Sequence, residues 1–116
     1  MQTREINAAT VPAPTTGYAQ AVELQAHTRM LFVSGQTPVA LDGSVPEGFE
    51  AQLEAAGMSL DNLLFHRTFL ADRSYAMANR AVRNALLGDR KPALTVVIAG
   101  IFDEAWLVEI EAVAAA

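Results

Sequence analysis

Two carboxylates on the last apolar segment of the chain are the residues best suited to catalysis. Glu109 and Glu111 alternate with Val108, Ile110 and Ala112, so both side chains point to the same side of a strand. A carboxylate whose pKa is tuned by partial burial can act as a general base that activates water. The pattern makes both residues candidates, with solvated strand carboxylates as the alternative interpretation.

Three residues near the start of the chain could donate hydrogen bonds to a small ligand. The Tyr18 hydroxyl can donate to a substrate or to water while its ring forms a wall of the site. The Ser34 hydroxyl and the Gly35 amide could both donate to a carboxylate or carbonyl oxygen. The alternatives are an ordinary edge-strand tyrosine and a turn that ends a strand.

His66 and Arg67 are neighbours in an apolar, strand-like segment, so their side chains point to opposite faces and only one can face a cleft. The Arg67 guanidinium could bind a carboxylate there. The alternatives are a surface arginine with its stem on apolar neighbours and a half-buried histidine. Trp106, the only tryptophan, could stack on a planar ligand or pack in the core or at an interface.

Several classes of function are disfavoured. His27 and His66 lie in different elements with no acidic residue at metal-ligand spacing, and there is no cysteine, so we expect no metal. The chain lacks a glycine-rich phosphate loop, and we expect no cofactor. A net charge of −5 argues against nucleic acid as a partner, since that affinity comes largely from lysine and arginine.

Hydrophobic periodicity and turn residues predict the elements that position these side chains. Residues 11–17 form an irregular lead-in, after which the structure begins. A helix over 46–56 ends at Gly57, and a second runs from Asp72 or Ser74 to Leu87 before Gly88. Its buried stripe is Ala78, Val82, Ala85 and Leu86. Strands are predicted at 18–24, 29–36 (well buried and extended through 37–39), 63–70, 94–99 and 107–114, with a turn at 41–44.

This order predicts an α+β fold in one domain over residues 1–116, with both helices on one face of a sheet. The other face then needs cover, and only 18% of the residues are charged, so we expect trimers or dimers. No segment approaches the ~20 apolar residues that span a bilayer, and no secretory signal precedes the fold. We expect a cytoplasmic protein without a membrane partner.

Four sequence islands then occur in the order and spacing of a known family. They are PAPTTGYAQAV at 12–22, VSGQTPV at 33–39, AAG at 55–57, and PALT at 92–95 running into VEIEAVA at 108–114. Together they span nearly the whole chain, and the set resembles the reactive intermediate deaminase (RidA/YjgF) family. The resemblance implies a chorismate-mutase-like homotrimer whose clefts lie between subunits, bind small carboxylates, and in active members hydrolyse enamines and imines.

The resemblance also assigns positions. Glu109 matches the cleft carboxylate that orients or activates water, Tyr18 matches the cleft tyrosine, and Asn79 matches a family asparagine, although it could equally be a helix surface residue. Two departures accompany these matches. Leu94 stands where active members have the arginine that holds the substrate carboxylate. The segment between Pro46 and Gly57 is shorter than the family pattern by roughly eleven residues, about three turns of helix.

Three functions follow as hypotheses. The first is a deaminase-like hydrolase of an enamine, imine or related carbonyl compound that turns over 2-aminoacrylate poorly, because Leu94 cannot bind its carboxylate. The second is a non-catalytic, small-molecule-binding or regulatory trimer. The third is an altered reaction on a less polar substrate, since Leu94 and Trp106 would make the cleft more apolar. Members of the family have been labelled endoribonucleases, but the acidic charge gives no physical support for RNA binding.

Overall fold

Backbone alternation and turn chemistry build a mixed α+β structure, seen in a computed structural model that describes residues 1–14, 17–37 and 46–116. Short 3₁₀ turns at Leu60–Asn62 and Arg73–Tyr75 precede β4 and α2. The strands and helices are β1 (Gln2–Ile6), β2 (Ala21–Gln25), β3 (Met30–Gln36), α1 (Pro46–Ala55), β4 (Leu63–Leu70), α2 (Ala76–Leu87), β5 (Ala93–Ile98) and β6 (Val108–Ala115).

The main sheet has the order β3-β6-β4-β5, in which β4 and β5 are parallel and the other neighbours antiparallel. Strands β1 and β2 form a separate antiparallel pair. The segment after the lead-in joins the main sheet at its β5 edge, where Ala19 forms an isolated parallel bridge with Ala93. The two edges of the main sheet are therefore β3 and β5.

The core lies between the sheet and both helices. Leu53 of α1 and Leu87 of α2 are 1% and 2% exposed, and they belong to the same apolar cluster as Leu70 and Ala114 of the strands. The predicted α+β architecture, with both helices on one face, is confirmed. We call the side that neither helix covers the open face. Its side chains include Phe32 and Ser34 of β3, Phe65, Arg67 and Phe69 of β4, Ala93, Thr95 and Val97 of β5, and Glu109, Glu111 and Val113 of β6.

The end of α1 and the turn that begins α2 have the capping residues that the sequence predicts. Gly57 has a φ of 72°, its N–H donates to the Glu54 carbonyl at 2.9 Å, and the Met58 N–H donates to the Leu53 carbonyl at 2.8 Å. This is a Schellman motif with its apolar contact, since Leu53 and Met58 share the core. Asp72 accepts from the Ser74 N–H at 2.8 Å and caps the turn that leads into α2.

The expectation that structure begins only after the lead-in is wrong, because β1 pairs with β2 from Gln2 onward. Four of its five residues are exposed, so it lacks the apolar alternation that reveals a strand in a sequence. Its pairing rests on backbone hydrogen bonds and on an ion pair between Arg4 and Glu23 at 3.0 Å.

The stripe predicted for α2 is also largely wrong. Ala78, Val82 and Ala85 are exposed, and only Leu86 of that set faces inward. Contacts with segments outside the helix also bear on its rotation. One such contact is at Gly17, where an added Cβ would lie 2.7 Å from Asn84 Oδ1, so α2 turns a polar side chain toward the lead-in.

Strand β3 is less buried than its apolar composition predicts, because it is an edge strand with one uncovered face. Phe32 is 71% and Met30 is 45% exposed. Val33, whose side chain points to the helix side of the sheet, is buried. The predicted extension over 37–39 beyond Thr37 and the predicted turn at 41–44 lie outside the described residues. Among the described residues, no helix is long and apolar enough to cross a membrane.

Candidate functional site

The register of β6 arranges the open face in rows. Phe32 of β3 and Phe65 of β4 both lie opposite Val113, which makes an apolar row. In the next row Glu111 lies opposite Arg67. Their side chains form an ion pair, and the Arg67 guanidinium carbon lies 5.3 Å from the centre of the Phe65 ring. The only arginine of these strands therefore already has a carboxylate and an aromatic partner.

A β-bulge brings Ser34 and Gly35 to the same face. Between Val33 and Gln36 strand β3 advances three residues while β6 advances two, so one extra residue is accommodated opposite Glu111. Bulges of this kind re-aim side chains and occur beside active sites. Ser34 is exposed beside the apolar row and could donate to a ligand there.

Glu109 occupies the third row, opposite Phe69, and its carboxylate lies against Gly35. A Cβ added at Gly35 would lie 2.7 Å from the Glu109 carboxyl carbon and 2.9 Å from its Cγ. Only glycine leaves room for this carboxylate. Glu109 is half-buried and forms no ion pair or hydrogen bond with any residue that the structure describes. A half-buried, unpaired carboxylate beside a hydroxyl is suited to orienting water.

The remaining candidates lie elsewhere. Leu94 pairs with His66 in the parallel β4–β5 register, so it points to the helix side of the sheet and away from Glu109. Tyr18 precedes Ala19, whose N–H donates to the Pro92 carbonyl at 3.1 Å, which places the tyrosine beside the start of β5. Asn79 is half-buried on α2. One chain thus brings Ser34, Gly35, Arg67 and Glu109 onto one face but leaves Tyr18 and Leu94 at the β5 edge and Asn79 on α2.

Trp106 lies in the connection from β5 to β6, where its ring packs against Phe102 with centroids 6.4 Å apart. Phe102 itself is 95% exposed. The tryptophan is half-buried. Its neighbour in the structure is therefore an exposed aromatic residue and not the carboxylates of the open face.

Of the neighbours His66 and Arg67, only Arg67 faces the candidate site. Arg67 lies on the open face, and His66 points to the helix side. His66 is 4% exposed, and its Nε2 has no hydrogen-bond partner within the described residues. Burial, reinforced by the positive charge of Arg83, lowers the pKa of His66 from its usual 6.5 to about 4. The imidazole is neutral at physiological pH and packs beneath α2.

This buried imidazole predicts loss of stability in mild acid. The unfolded chain takes up a proton on His66 below pH 6.5, whereas the folded chain does so only near pH 4. Stability should fall across that interval by about 3 kcal/mol, at ~1.4 kcal/mol per pKa unit. Urea unfolding at pH 7 and pH 4 measures this decrease in the free energy of unfolding. The free energy of unfolding of His66→Leu should decrease less between the two pH values. Equal decreases in both proteins would contradict the assignment of this effect to His66.

Sequence reasoning missed Phe32 and Phe65, two of the three phenylalanines of the open face. A signal for them exists in the sequence. Each is next to a buried residue, Val33 or Leu64, so its side chain points to the opposite face of the strand, where an exposed surface usually carries polar side chains. Within the described ranges, no group of three or more His, Asp or Glu side chains could hold a metal ion.

Comparison with known proteins agrees with this fold. The family model described as Endoribonuclease L-PSP matches residues 8–116. Protein HMF1 of Saccharomyces cerevisiae is 29% identical over 116 residues, covering 90% of this chain and 88% of that protein. RutC family protein PH0854 of Pyrococcus horikoshii is also 29% identical, covering 89% and 90%. A Rid-family protein of unknown function, YyfB from Yersinia pestis, shares the fold with a TM-score of 0.79 at 24% identity, over all of both chains.

Proposed function

Because this chain belongs to the endoribonuclease L-PSP family, we propose that it hydrolyses a small imine or enamine in clefts between the subunits of a homotrimer. An enamine first tautomerises to the imine. Water then adds across the C=N bond to form a carbinolamine, whose C–N bond breaks to give a carbonyl compound and an amine or ammonia. Glu109 is the group that orients and deprotonates the water. The observation that carries the proposal is the half-buried Glu109 carboxylate lying on Gly35, beside the exposed Ser34 of the bulge.

The separation of the candidate residues supports a site shared between subunits. Leu94 points to the helix side of β5, whereas Glu109 lies on the open face. A second copy whose β5 edge meets the open face would bring Tyr18 and Leu94 toward Glu109. Phe32, 71% exposed in one chain, gives that open face the apolar surface that subunit association requires.

Leucine at position 94 sets the limit on the substrate. A guanidinium at this position would make charge-assisted hydrogen bonds to a carboxylate, worth about 1.5–3 kcal/mol each. Leu94 supplies none, so 2-aminoacrylate should be a poor substrate. RNA is no substrate in this proposal, because a chain with 13 acidic and 8 basic residues has little to offer a phosphate backbone.

The proposal is tested by measuring hydrolysis of a panel of imines, with and without a carboxylate, by the protein and by Glu109→Gln. Loss of the base should lower the rate on the best imine by about 100-fold or more. Glu5→Gln is the matched control, since it removes the same charge from an exposed strand residue of β1. Glu109→Gln that hydrolyses as fast as the unaltered protein would refute the role of Glu109.

The same panel tests the alternative of a non-catalytic binding trimer. That function predicts thermal stabilisation by a small molecule without any turnover, in both the unaltered protein and Glu109→Gln. The observation in favour of this non-catalytic function is Leu94, an apolar residue at the position where active members of the family have a substrate-binding arginine. Measurable turnover that depends on Glu109 excludes it.

A further inference from the structure

The charges on the open face point to the kind of ligand that this site accepts. Resting on the proposed small-molecule site, we infer that it selects ligands that carry a positive charge and no carboxylate, and that Glu111 determines this preference. Such a ligand is a protonated imine or an amine. Three features favour such a ligand: Arg67 is already paired, Glu109 is unpaired, and the apolar row beside them carries two aromatic rings.

Arg67 is the only cation that the described strands place on the open face, and Glu111 already binds it. The two side chains are 41% and 36% exposed, so a ligand can reach the pair. An anionic ligand would have to compete with Glu111 for the guanidinium. Glu111 therefore prevents Arg67 from serving as a carboxylate-binding residue.

With Arg67 and Glu111 paired, Glu109 contributes the charge that is left uncompensated. It lies on the same face, two residues before Glu111, and pairs with no described cation. Two carboxylates and one guanidinium leave one negative charge on this face, which repels a carboxylate and attracts a cation. Covering the face with a second subunit would strengthen both effects by excluding water.

The apolar row, with the aromatic rings of Phe32 and Phe65, adds to this preference for a cation. A depression of about 270 Å³ on the open face is lined by Phe32, Val33, Ser34, Phe65, Glu111, Ala112 and Val113. Aromatic ring faces attract cations, as Phe65 already does with Arg67 at 5.3 Å. An ammonium or iminium group in this depression would meet aromatic rings and the Glu111 carboxylate together.

The test uses two ring compounds of equal size and opposite charge, cyclopentylamine and cyclopentanecarboxylate, with binding constants measured by calorimetry at pH 7. The unaltered protein should bind the amine at least about tenfold more tightly. In Glu111→Gln, which releases Arg67, the carboxylate should gain about tenfold and the amine should weaken. Glu5→Gln, which makes the same change in net charge, should keep the original preference.

Arg67→Met provides a second variant that does not depend on the fold of Glu111→Gln. Removing the guanidinium leaves both carboxylates unpaired, so the preference for the amine should increase. An unaltered protein that prefers the carboxylate, or a Glu111→Gln protein with an unchanged preference, overturns this inference and leaves the proposed hydrolysis intact. If neither compound binds and no imine is hydrolysed, the proposed site itself is wrong, and the inference falls with it.

Discussion

The proposed homotrimer is expected to dissociate into monomers when Phe32 is replaced with glutamate. The side chain is 71% exposed on the open face of a single chain, and burying a phenylalanine against another subunit contributes about 1.5–3 kcal/mol. A glutamate there loses that contribution and also places a charge in an apolar contact, which costs several kcal/mol more when it is unpaired. Light scattering after size-exclusion chromatography measures the mass of the assembly.

Met77→Glu is the matched control for this change. Met77 is also 71% exposed, but it lies on the outer surface of α2, on the other side of the molecule. We expect this variant to keep the mass of the unaltered assembly. A Phe32→Glu protein that stays assembled would show that the open face is not the interface, and dissociation by Met77→Glu would assign the interface to the helices.

Replacing Gly35 with alanine is expected to abolish hydrolysis while preserving the fold. The new Cβ would lie 2.7 Å from the Glu109 carboxyl carbon, closer than real atoms approach, so the carboxylate must move. The flexible end of a side chain can give way without unfolding the sheet. A displacement of about 1 Å in a catalytic group can cost on the order of 100-fold in rate. The rate of imine hydrolysis and the melting temperature together measure the two effects.

Gly100→Ala is the control, because an added Cβ at Gly100 meets no atom within 4 Å. It should retain both rate and melting temperature. If Gly35 acts through Glu109, combining Gly35→Ala with Glu109→Gln should lower the rate no further than Glu109→Gln alone. A fully active Gly35→Ala protein would contradict the placement of the base.

Much of the fold could be predicted because its signals are local. The glycine at 57 and the apolar spacing before it predicted the end of α1, and the run over 63–70 predicted β4 with the bounds observed. The strand β1 could not be predicted in this way, because its exposed residues show no periodicity and their partner β2 lies about fifteen residues further along the chain. The rotation of α2 was wrong for a related reason, since contacts such as Gly17 with Asn84 are not encoded in the helix itself.

The arrangement of the candidate site was likewise predictable only where its signal is local. By alternation alone, the sequence determined that Glu109 and Glu111 share one side of a strand and that His66 and Arg67 cannot share one. Which side faces the helices depends on the register between strands and on where α1 and α2 pack, and those are contacts between residues far apart in the chain. Only the tertiary structure therefore showed that Glu111 binds Arg67, that Glu109 lies on Gly35, and that Leu94 points away from both.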